Sequence, residues 1–356
     1  MTTAYFARAT QRDGSAHRKD AHTPATATPK LQLADVFRRY ATRYRRQYGH
    51  RLTQQQDRAL REIEVCRTPV LGGHERRCDT CGHVEQAFNT CRNRHCPQCS
   101  GYQRRKWYQD RLPEMLPVEY QHIVFTLPET LSELAHHNGP LIYQLLFAAA
   151  SPALLHVGRT WTCLKAELGF LAVLHTWGQA LFLHVHLHIL WPAGGLSLDG
   201  TGWRSLPRGF SLPKDWLRKE FRERFLDGLQ QAYDRGELIL RDRHGYLLVP
   251  GNFTRWMARL RTCYWNLDAQ PVDLGREGMT PREAALCTLK YLAAYANGVA
   301  LHNDRLISIA EDEVTFSYKD YRDQGRRKIA RVPALEFIDR FLLHVLPRQL
   351  RQKWAS

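Results

Sequence analysis

The segment Leu181-Phe-Leu-His-Val-His-Leu-His-Ile-Leu-Trp191 leaves its part of the chain little conformational choice. Polar and apolar residues alternate with a period of two among strong β-formers, which a strand satisfies and a helix does not. Alternate side chains of a strand share a face, so His184, His186 and His188 fall on one surface. Neutral imidazole is the commonest metal ligand, and a His-Leu-His pair on a strand is a candidate metal seat. A sheet face that is merely rich in histidine is the simpler reading, and the rest of the chain decides between the two.

Lys and Arg outnumber Asp and Glu 51 to 35, a formal charge of +16. Such an excess favours a polyanionic partner, nucleic acid before membrane, because every cation set on a phosphate releases condensed counterions. No apolar run reaches the length of a membrane span, and residues 1–30 lack the hydrophobic segment of a signal peptide. That opening stretch, rich in Thr, Ala, His and Arg, reads as a disordered lead-in, and the protein is expected in the cytoplasm.

A domain over 31–112 is expected to be helical and then metal-binding. Two helices should occupy Leu31 to Cys66, with a break near Gly49. Between Val36 and Gln56 lie Arg38, Arg39, Arg43, Arg45, Arg46 and Arg51, interleaved with Tyr40, Tyr44 and Tyr48 and with no acidic residue. A charge run is usually a solvated face; here the missing counter-charge and the tyrosines point to nucleic-acid contact with equal force. Six of the nine cysteines then fall between Cys66 and Cys99, and in a cytosolic setting metal explains them better than disulfides. The knuckles Cys78-x-x-Cys81 and Cys96-x-x-Cys99 together offer four thiolates to one zinc in the manner of a zinc ribbon. Cys66, His74, Cys91 and His95 remain, by elimination, for a second site. Closed sites of this kind stabilise a fold and leave no position for substrate, while Arg92, Arg94, Arg104, Arg105 and Lys106 offer phosphate contacts around them. Cys163, Cys263 and Cys287 are scattered and read as small buried hydrophobes.

From 113 to 347 the pattern becomes α+β. Strands are expected at Glu119–Leu127, Gly169–Trp177 and Ala180–Trp191, the last two paired antiparallel through a tight connection at Gly178. Helices are expected over Pro128–Arg159, Lys214–Asp234 and Ala334–Leu346, and a hairpin-like piece over Leu238–Val249. Further strands are expected at Val299–His302, Arg305–Ala310 and Val314–Tyr318. Thr280-Pro-Arg-Glu283 is a capping box with proline at the first helical position, so a helix begins there, and Asn297-Gly298 closes it. Tyr291 and Tyr295 share one face of it, and Leu289, Leu292 and Ala296 form a neighbouring stripe. Two core tyrosines are the bland alternative.

These parts fit one chemistry. A tyrosine hydroxyl can attack a DNA phosphodiester and leave a phosphotyrosine and a 3′-hydroxyl while a divalent ion polarises the phosphate. Two tyrosines would let one hold the first cut end while the other makes a second cut. Two histidines rarely suffice for a catalytic ion. His175, on the preceding strand, is the best third ligand, with His184 as competitor and Gln179 a weaker option.

Taken together, these residues resemble the HUH transposases of the insertion-sequence-91 family, which carry an N-terminal zinc-binding domain and two tyrosines. The resemblance runs through Cys66-Arg-Thr-Pro-Val-Leu-Gly-Gly-His74 and Cys91-Arg-Asn-Arg-His-Cys-Pro-Gln-Cys99 to His175-Thr-Trp-Gly, His186-Leu-His188 and Tyr291-Leu-Ala-Ala-Tyr295. Val314-Thr-Phe-Ser-Tyr-Lys-Asp-Tyr321 and Arg340-Phe-Leu-Leu-His-Val-Leu-Pro347 resemble the family's closing motifs, and the segment 348–356 is a tail that departs from its usual ending. The resemblance implies an antiparallel sheet with packed helices, related to the RNA-recognition fold. It also implies magnesium or manganese on His186 and His188, with Tyr291 and Tyr295 as nucleophiles on single-stranded DNA in rolling-circle transposition at the nucleoid. The His175 spacing is similar to that of three-histidine conjugative relaxases, and Arg305 and Lys319 stand as phosphate-binding cations. A replication initiator or relaxase shares this chemistry. A non-catalytic zinc-ribbon DNA-binding protein would instead keep its tyrosines buried and far from the histidines.

Overall fold

The computed structural model describes residues 30–160, 164–207, 210, 212–272, 278–296, 298–346 and 352–355. The lead-in up to residue 29 and Cys163 therefore lie outside the described residues. Helices α1 (Leu33–Tyr48) and α2 (Gln54–Glu64) come first, divided by a 3-10 turn at Gly49–Arg51 as the sequence predicts. A hairpin of β1 (Gly73–Arg77) and β2 (Val84–Phe88) leads to α3 (Ser100–Arg111), β3 (Tyr120–Thr126) and the long α4 (Glu129–Thr160). Next come β4 (Ala166–Glu167), β5 (Phe170–Trp177), β6 (Leu183–Pro192), β7 (Gly194–Ser197) and β8 (Trp203–Ser205). Helices α5 (Lys214–Asp234) and α6 (Asn252–Thr262), strand β9 (Asn266–Pro271) and helix α7 (Pro281–Ala296) follow. Strands β10 (Leu306–Ala310), β11 (Glu313–Asp320) and β12 (Arg326–Pro333), helix α8 (Ala334–Leu342) and strand β13 (Gln352–Ala355) complete the chain.

A five-stranded, wholly antiparallel sheet in the order β13-β5-β6-β3-β9 positions everything else. Alternation gives it two unlike faces. On one, Phe170, Ala172 and Leu174 of β5, Val185, Leu187, Ile189 and Trp191 of β6, and Ile123 and Phe125 of β3 pack against α4, α5 and α6. Phe125 meets Phe221 of α5 edge-on at 4.8 Å between centroids. Each such side chain withdrawn from water is worth about 1.5–3 kcal/mol, so this face fixes the register: a slip by one residue would turn the whole apolar set outward. The other face carries the histidines.

Helix α4 is 32 residues long and, contrary to the reading of the sequence, apolar enough by length and composition to cross a membrane. Its apolar content is accounted for by packing, since Leu131, Leu134, Ile142, Leu146, Leu154 and Val157 all join the core under the sheet. The helix bends at Asn138, two residues before Pro140, whose missing N–H and ring interrupt the backbone ladder there. The Asn138 amide donates to Leu134 O at 3.1 Å and to Ile239 O at 3.0 Å and accepts from Ile239 N at 2.7 Å, which fastens the bend to the chain beyond α5.

The boundary expected near residue 112 does not separate one core from another. Leu33, Phe37, Tyr40, Ala41 and Tyr44 of α1 and Leu60 and Ile63 of α2 are buried with Phe316 of β11 and Phe337, Ile338 and Phe341 of α8. Phe37 meets Phe341 edge-on at 5.5 Å, and the Tyr44 hydroxyl donates to Asp339 at 2.8 Å. Tyr40 and Tyr44 are thus core residues and offer no stacking platform. Three of the six arginines find acids from outside the run: Arg38 with Asp35, Arg43 with Asp312, and Arg45 with Asp57 and Glu64.

Several local expectations change. Leu238–Val249 forms no hairpin; 3-10 turns occupy Asp242–Leu248. Residues 299–302 are irregular, and Cys263 is exposed where the sequence suggests a buried thiol. Helix α6 goes unread in the sequence although Phe253, Trp256, Met257 and Leu260 recur at helical spacing, whereas strands β9, β12 and β13 carry little apolar alternation; the segment read as a tail supplies β13, which pairs with β5.

Candidate metal centres and the groove beside them

Among the described residues two groups of metal-ligand side chains converge. The first corrects the cysteine grouping: Cys66, Cys91, Cys96 and Cys99 come together, their sulfurs within 4.8 Å of one another. Cys66 sits just past α2, whereas Cys78 and Cys81 ride the exposed tip of the β1–β2 hairpin and His74 is exposed on β1. His95 is buried beside the cluster but is not one of its four members. The Sγ–Sγ distances are 3.8 Å (Cys66–Cys99), 3.6 Å (Cys91–Cys99) and 3.7 Å (Cys66–Cys96). Four sulfurs at the zinc–thiolate distance of about 2.3 Å span tetrahedral edges of about 3.8 Å, so the four fit a closed zinc site. Backbone N–H groups of Cys91 and Asn93 point at Cys66 and Cys91 sulfur, both at 3.4 Å, as outer-shell donors to thiolates should.

The second group is His175, His186 and His188, whose ring nitrogens also lie within 4.8 Å of one another. The tight connection after β5 sets His175 directly opposite His186 across the β5–β6 ladder. His188 lies two residues on, on the same face. The ladder slips by one residue between His175 and Trp177, a bulge on the β6 side, and there His184 turns to solvent. His184 remains 5.0 Å from His186 between ring centroids but outside the trio, and Gln179 only lines the adjoining groove. The ring contacts suit metal binding. His186 Nδ1 donates to the carbonyl of His184 at 2.7 Å, and His188 Nδ1 lies 2.8 Å from His122 Nε2, so that Nε2 is the nitrogen left for a metal in His186, and in His188 when its Nδ1 carries the shared proton. Burial, and then the neighbouring imidazoles, hold His186 and His188 well below the usual histidine range, which keeps them neutral near pH 7.

His122 escapes notice in the sequence. It lies in the β3 segment recognised there as a strand, but nothing in that segment says which face meets β6. Its ring stacks on His188 at 5.1 Å and is met edge-on by Tyr291 of α7 at 5.8 Å. Tyr291 therefore stands on the histidine face of the sheet, 38% exposed. Helix α7 begins with the expected capping box: Glu283 accepts from Thr280 N at 2.9 Å and Thr280 Oγ1 from Glu283 N at 3.3 Å. Leu289 and Ala293 anchor it on Leu171, Val173 and Leu190 of the sheet together with Trp107 of α3. Helix α3 begins immediately after Cys99, so the cysteine cluster and the tyrosine helix are braced through one element. The side chains of Tyr295, Leu292 and Ala296 lie outside the described residues.

A groove of about 590 Å³ opens beside the three histidines, walled by Gly178, His302, Arg305, Lys319, Tyr321 and Arg327 among others. Arg305 is already engaged: its guanidinium donates to Ser317 O at 2.8 Å and to Gln179 O, clamping the β5–β6 turn to β11. Lys319 is exposed and makes no ion pair among the described residues. Near the cysteines, Arg92 and Arg105 are exposed, Arg94 and Arg104 are half-buried, and Lys106 pairs with Asp110 at 3.0 Å.

Each cluster falls in a region shared with known proteins. Residues 36–127 match the model of a transposase zinc-binding domain, and residues 169–353 match a family described as "Putative transposase". The chain belongs to the insertion-sequence-91 family of transposases, with an N-terminal zinc-binding domain. It is 44% identical over 316 residues to "Putative transposase y4qJ" of Sinorhizobium fredii, an alignment covering 89% of this chain and 77% of that protein. It is 28% identical over 280 residues to "Transposase for insertion sequence element IS801" of Pseudomonas savastanoi pv. phaseolicola, covering 75% of this chain and 63% of that protein. No solved structure matches the chain.

Proposed function

We propose that this transposase cuts and rejoins single-stranded DNA through tyrosine, in rolling-circle transposition, with Tyr291 and Tyr295 as nucleophiles. One observation carries the reading: Tyr291 shares a sheet face with the histidine trio, its ring against the His122 that is hydrogen-bonded to His188. An antiparallel sheet with helices on both sides accords with the RNA-recognition-like core of HUH endonucleases.

His175, His186 and His188 would hold one divalent ion. An all-imidazole set suits a first-row transition ion better than magnesium, which makes manganese the better match of the two expected ions. When bound, the ion would polarise the scissile phosphate and offset its charge. The chain's own role is the covalent step. The tyrosine oxygen attacks phosphorus, the new O–P bond replaces the P–O3′ bond, the departing 3′ oxygen takes up a proton, and the phenolic proton passes to solvent. One phosphoester replaces another, so the step runs in both directions and the second strand end can be joined. A phenol with an ordinary pKa of about 10 is a weak nucleophile at pH 7, so cations on the phosphate must lower the barrier.

Zinc on Cys66, Cys91, Cys96 and Cys99 is closed and structural, and through Trp107 of α3 it supports the placement of α7. Arg92, Arg94, Arg104, Arg105 and Lys106 are suited to phosphate contacts near it. A relaxase-type initiator would share the cutting step, but the zinc-binding domain favours the transposase. The exposure of Tyr291 speaks against a non-catalytic binding module.

The test is incubation with a single-stranded oligonucleotide bearing the element's end and Mn or Mg ions, followed by denaturing electrophoresis. A protein–DNA adduct is expected, lost in the Tyr291→Phe plus Tyr295→Phe double variant and in His186→Ala. An adduct that survives both changes would overturn the reading.

A further inference from the structure

The three-stranded meander β10-β11-β12 covers α1 and α8 with one face and leaves the other open. Its cations are sorted by that alternation. On the face of Val314, Phe316 and Val332, which is buried, Arg326 and Lys328 are ion-paired, Arg326 with Asp323 at 3.6 Å and Lys328 with Asp320 and Asp323 at 2.8 and 3.1 Å. On the opposite face the cross-strand partners Lys319 and Arg327, and Arg331 opposite Thr315, are exposed and make no ion pair among the described residues. Between them Ile329 is 64% exposed, and at the β11–β12 turn Tyr321 is 73% exposed. Lys319, Tyr321 and Arg327 also wall the groove that holds His175, His186 and His188. From Arg327 to Arg331 the row runs about 13 Å along the strand, at the usual rise per residue.

We propose that this open face is the track on which single-stranded DNA lies as it enters the histidine groove, with Lys319, Arg327 and Arg331 on its phosphates and Tyr321 stacked on a base. The inference rests on the reading of the protein as a single-strand transposase and adds where the strand is held. Charge complementarity and continuity with the groove favour DNA as the occupant. Cations without acidic partners on an exposed sheet cost folding stability by mutual repulsion, and a polyanion relieves that cost. A flat sheet bearing cations and an aromatic ring is how sequence-tolerant single-strand binding is commonly built.

Binding and cutting can be measured apart. A fluorescent oligothymidylate would be titrated into the full-length Tyr291→Phe protein without divalent ions, over a range of salt. Each phosphate contact on a single strand contributes about 0.7 to the slope of log affinity against log salt, so Arg327→Ala plus Arg331→Ala should lower that slope by about 1.4. Tyr321→Ala should weaken binding roughly tenfold or more by loss of stacking, with the slope unchanged. Arg326→Ala, on the same strand with its guanidinium on the other face, is the control and should leave the slope as it was. An unchanged slope in the Arg327/Arg331 variant, a loss confined to duplex DNA, or a change in oligomeric state in place of a change in slope would each overturn the proposal. Failure of wild-type protein to form any adduct, with the slope shift still present, would count against the cutting chemistry and leave the track standing.

Discussion

His122 provides a sharp test of how the histidine site is tuned. Both His122 and His188 are buried, and the 2.8 Å contact between His122 Nε2 and His188 Nδ1 allows two arrangements of one proton. Only when His188 Nδ1 carries it, and His122 accepts, is His188 Nε2 a metal-competent lone pair. Replacing His122 by Phe keeps a flat ring in the stack and removes the acceptor. His188 Nδ1–H then loses the acceptor that His122 supplies in a buried site, at about 1–3 kcal/mol in stability. Loss of an outer-shell partner of this kind typically weakens metal binding about 10- to 100-fold, or about 1.4–2.8 kcal/mol at 1.4 kcal/mol per tenfold. Calorimetric titration with manganese on the purified protein reads this directly. Weaker binding of that size in His122→Phe, with His122→Gln recovering some of it through its amide oxygen, is expected. Equal manganese affinity in His122→Phe and wild type would refute the argument that the second imidazole sets the tautomer of the first.

Other expectations follow from the same geometry. Cys66→Ser should lose the structural zinc and, since such a site carries much of the folding energy of its region, lower the melting temperature sharply, whereas Cys78→Ser plus Cys81→Ser should keep the zinc of the buried cluster; colorimetric zinc release with thermal melts checks both. Burial pushes the His344 imidazole, between the Thr176 hydroxyl and Leu181 O, down from 6.5 to about 4. The unfolded chain then takes up a proton that the folded chain refuses, so this group's contribution is intact above pH 6.5 and about 3 kcal/mol is lost as the pH falls to about 4; denaturant melts across that range should flatten in His344→Phe. Thr280→Ala removes the cap of the tyrosine helix and should cost about 1 kcal/mol, read by urea melts, while Thr280→Ser should not.

Much of the site was legible because it is local. The alternation around His186 and the tight turn at Gly178 together set His175 opposite His186, and Thr280-Pro-Arg-Glu283 announced the start of α7 within one residue. What could not be read depended on contacts distant in sequence. Two C-x-x-C knuckles invite pairing with each other, but the β1–β2 hairpin carries Cys78 and Cys81 away while the end of α2 brings Cys66 in. The role of Tyr40 and Tyr44 was half-visible: with Leu33, Phe37 and Ala41 they form a stripe at helical spacing, a signal the surrounding arginines obscured. Strand β12 offers mostly cations at its exposed positions, so its place beside β11 follows from ladder bonds and not from hydrophobic pattern.

The most direct test of the central claim, that the histidine face with its tyrosine helix is where DNA is cut, is to digest the covalent adduct with protease and locate the nucleotide by tandem mass spectrometry. A 5′-phosphodeoxynucleotide on Tyr291 or Tyr295 is the result this account predicts. A nucleotide found on any other residue, or an adduct undiminished in His175→Ala, would contradict it.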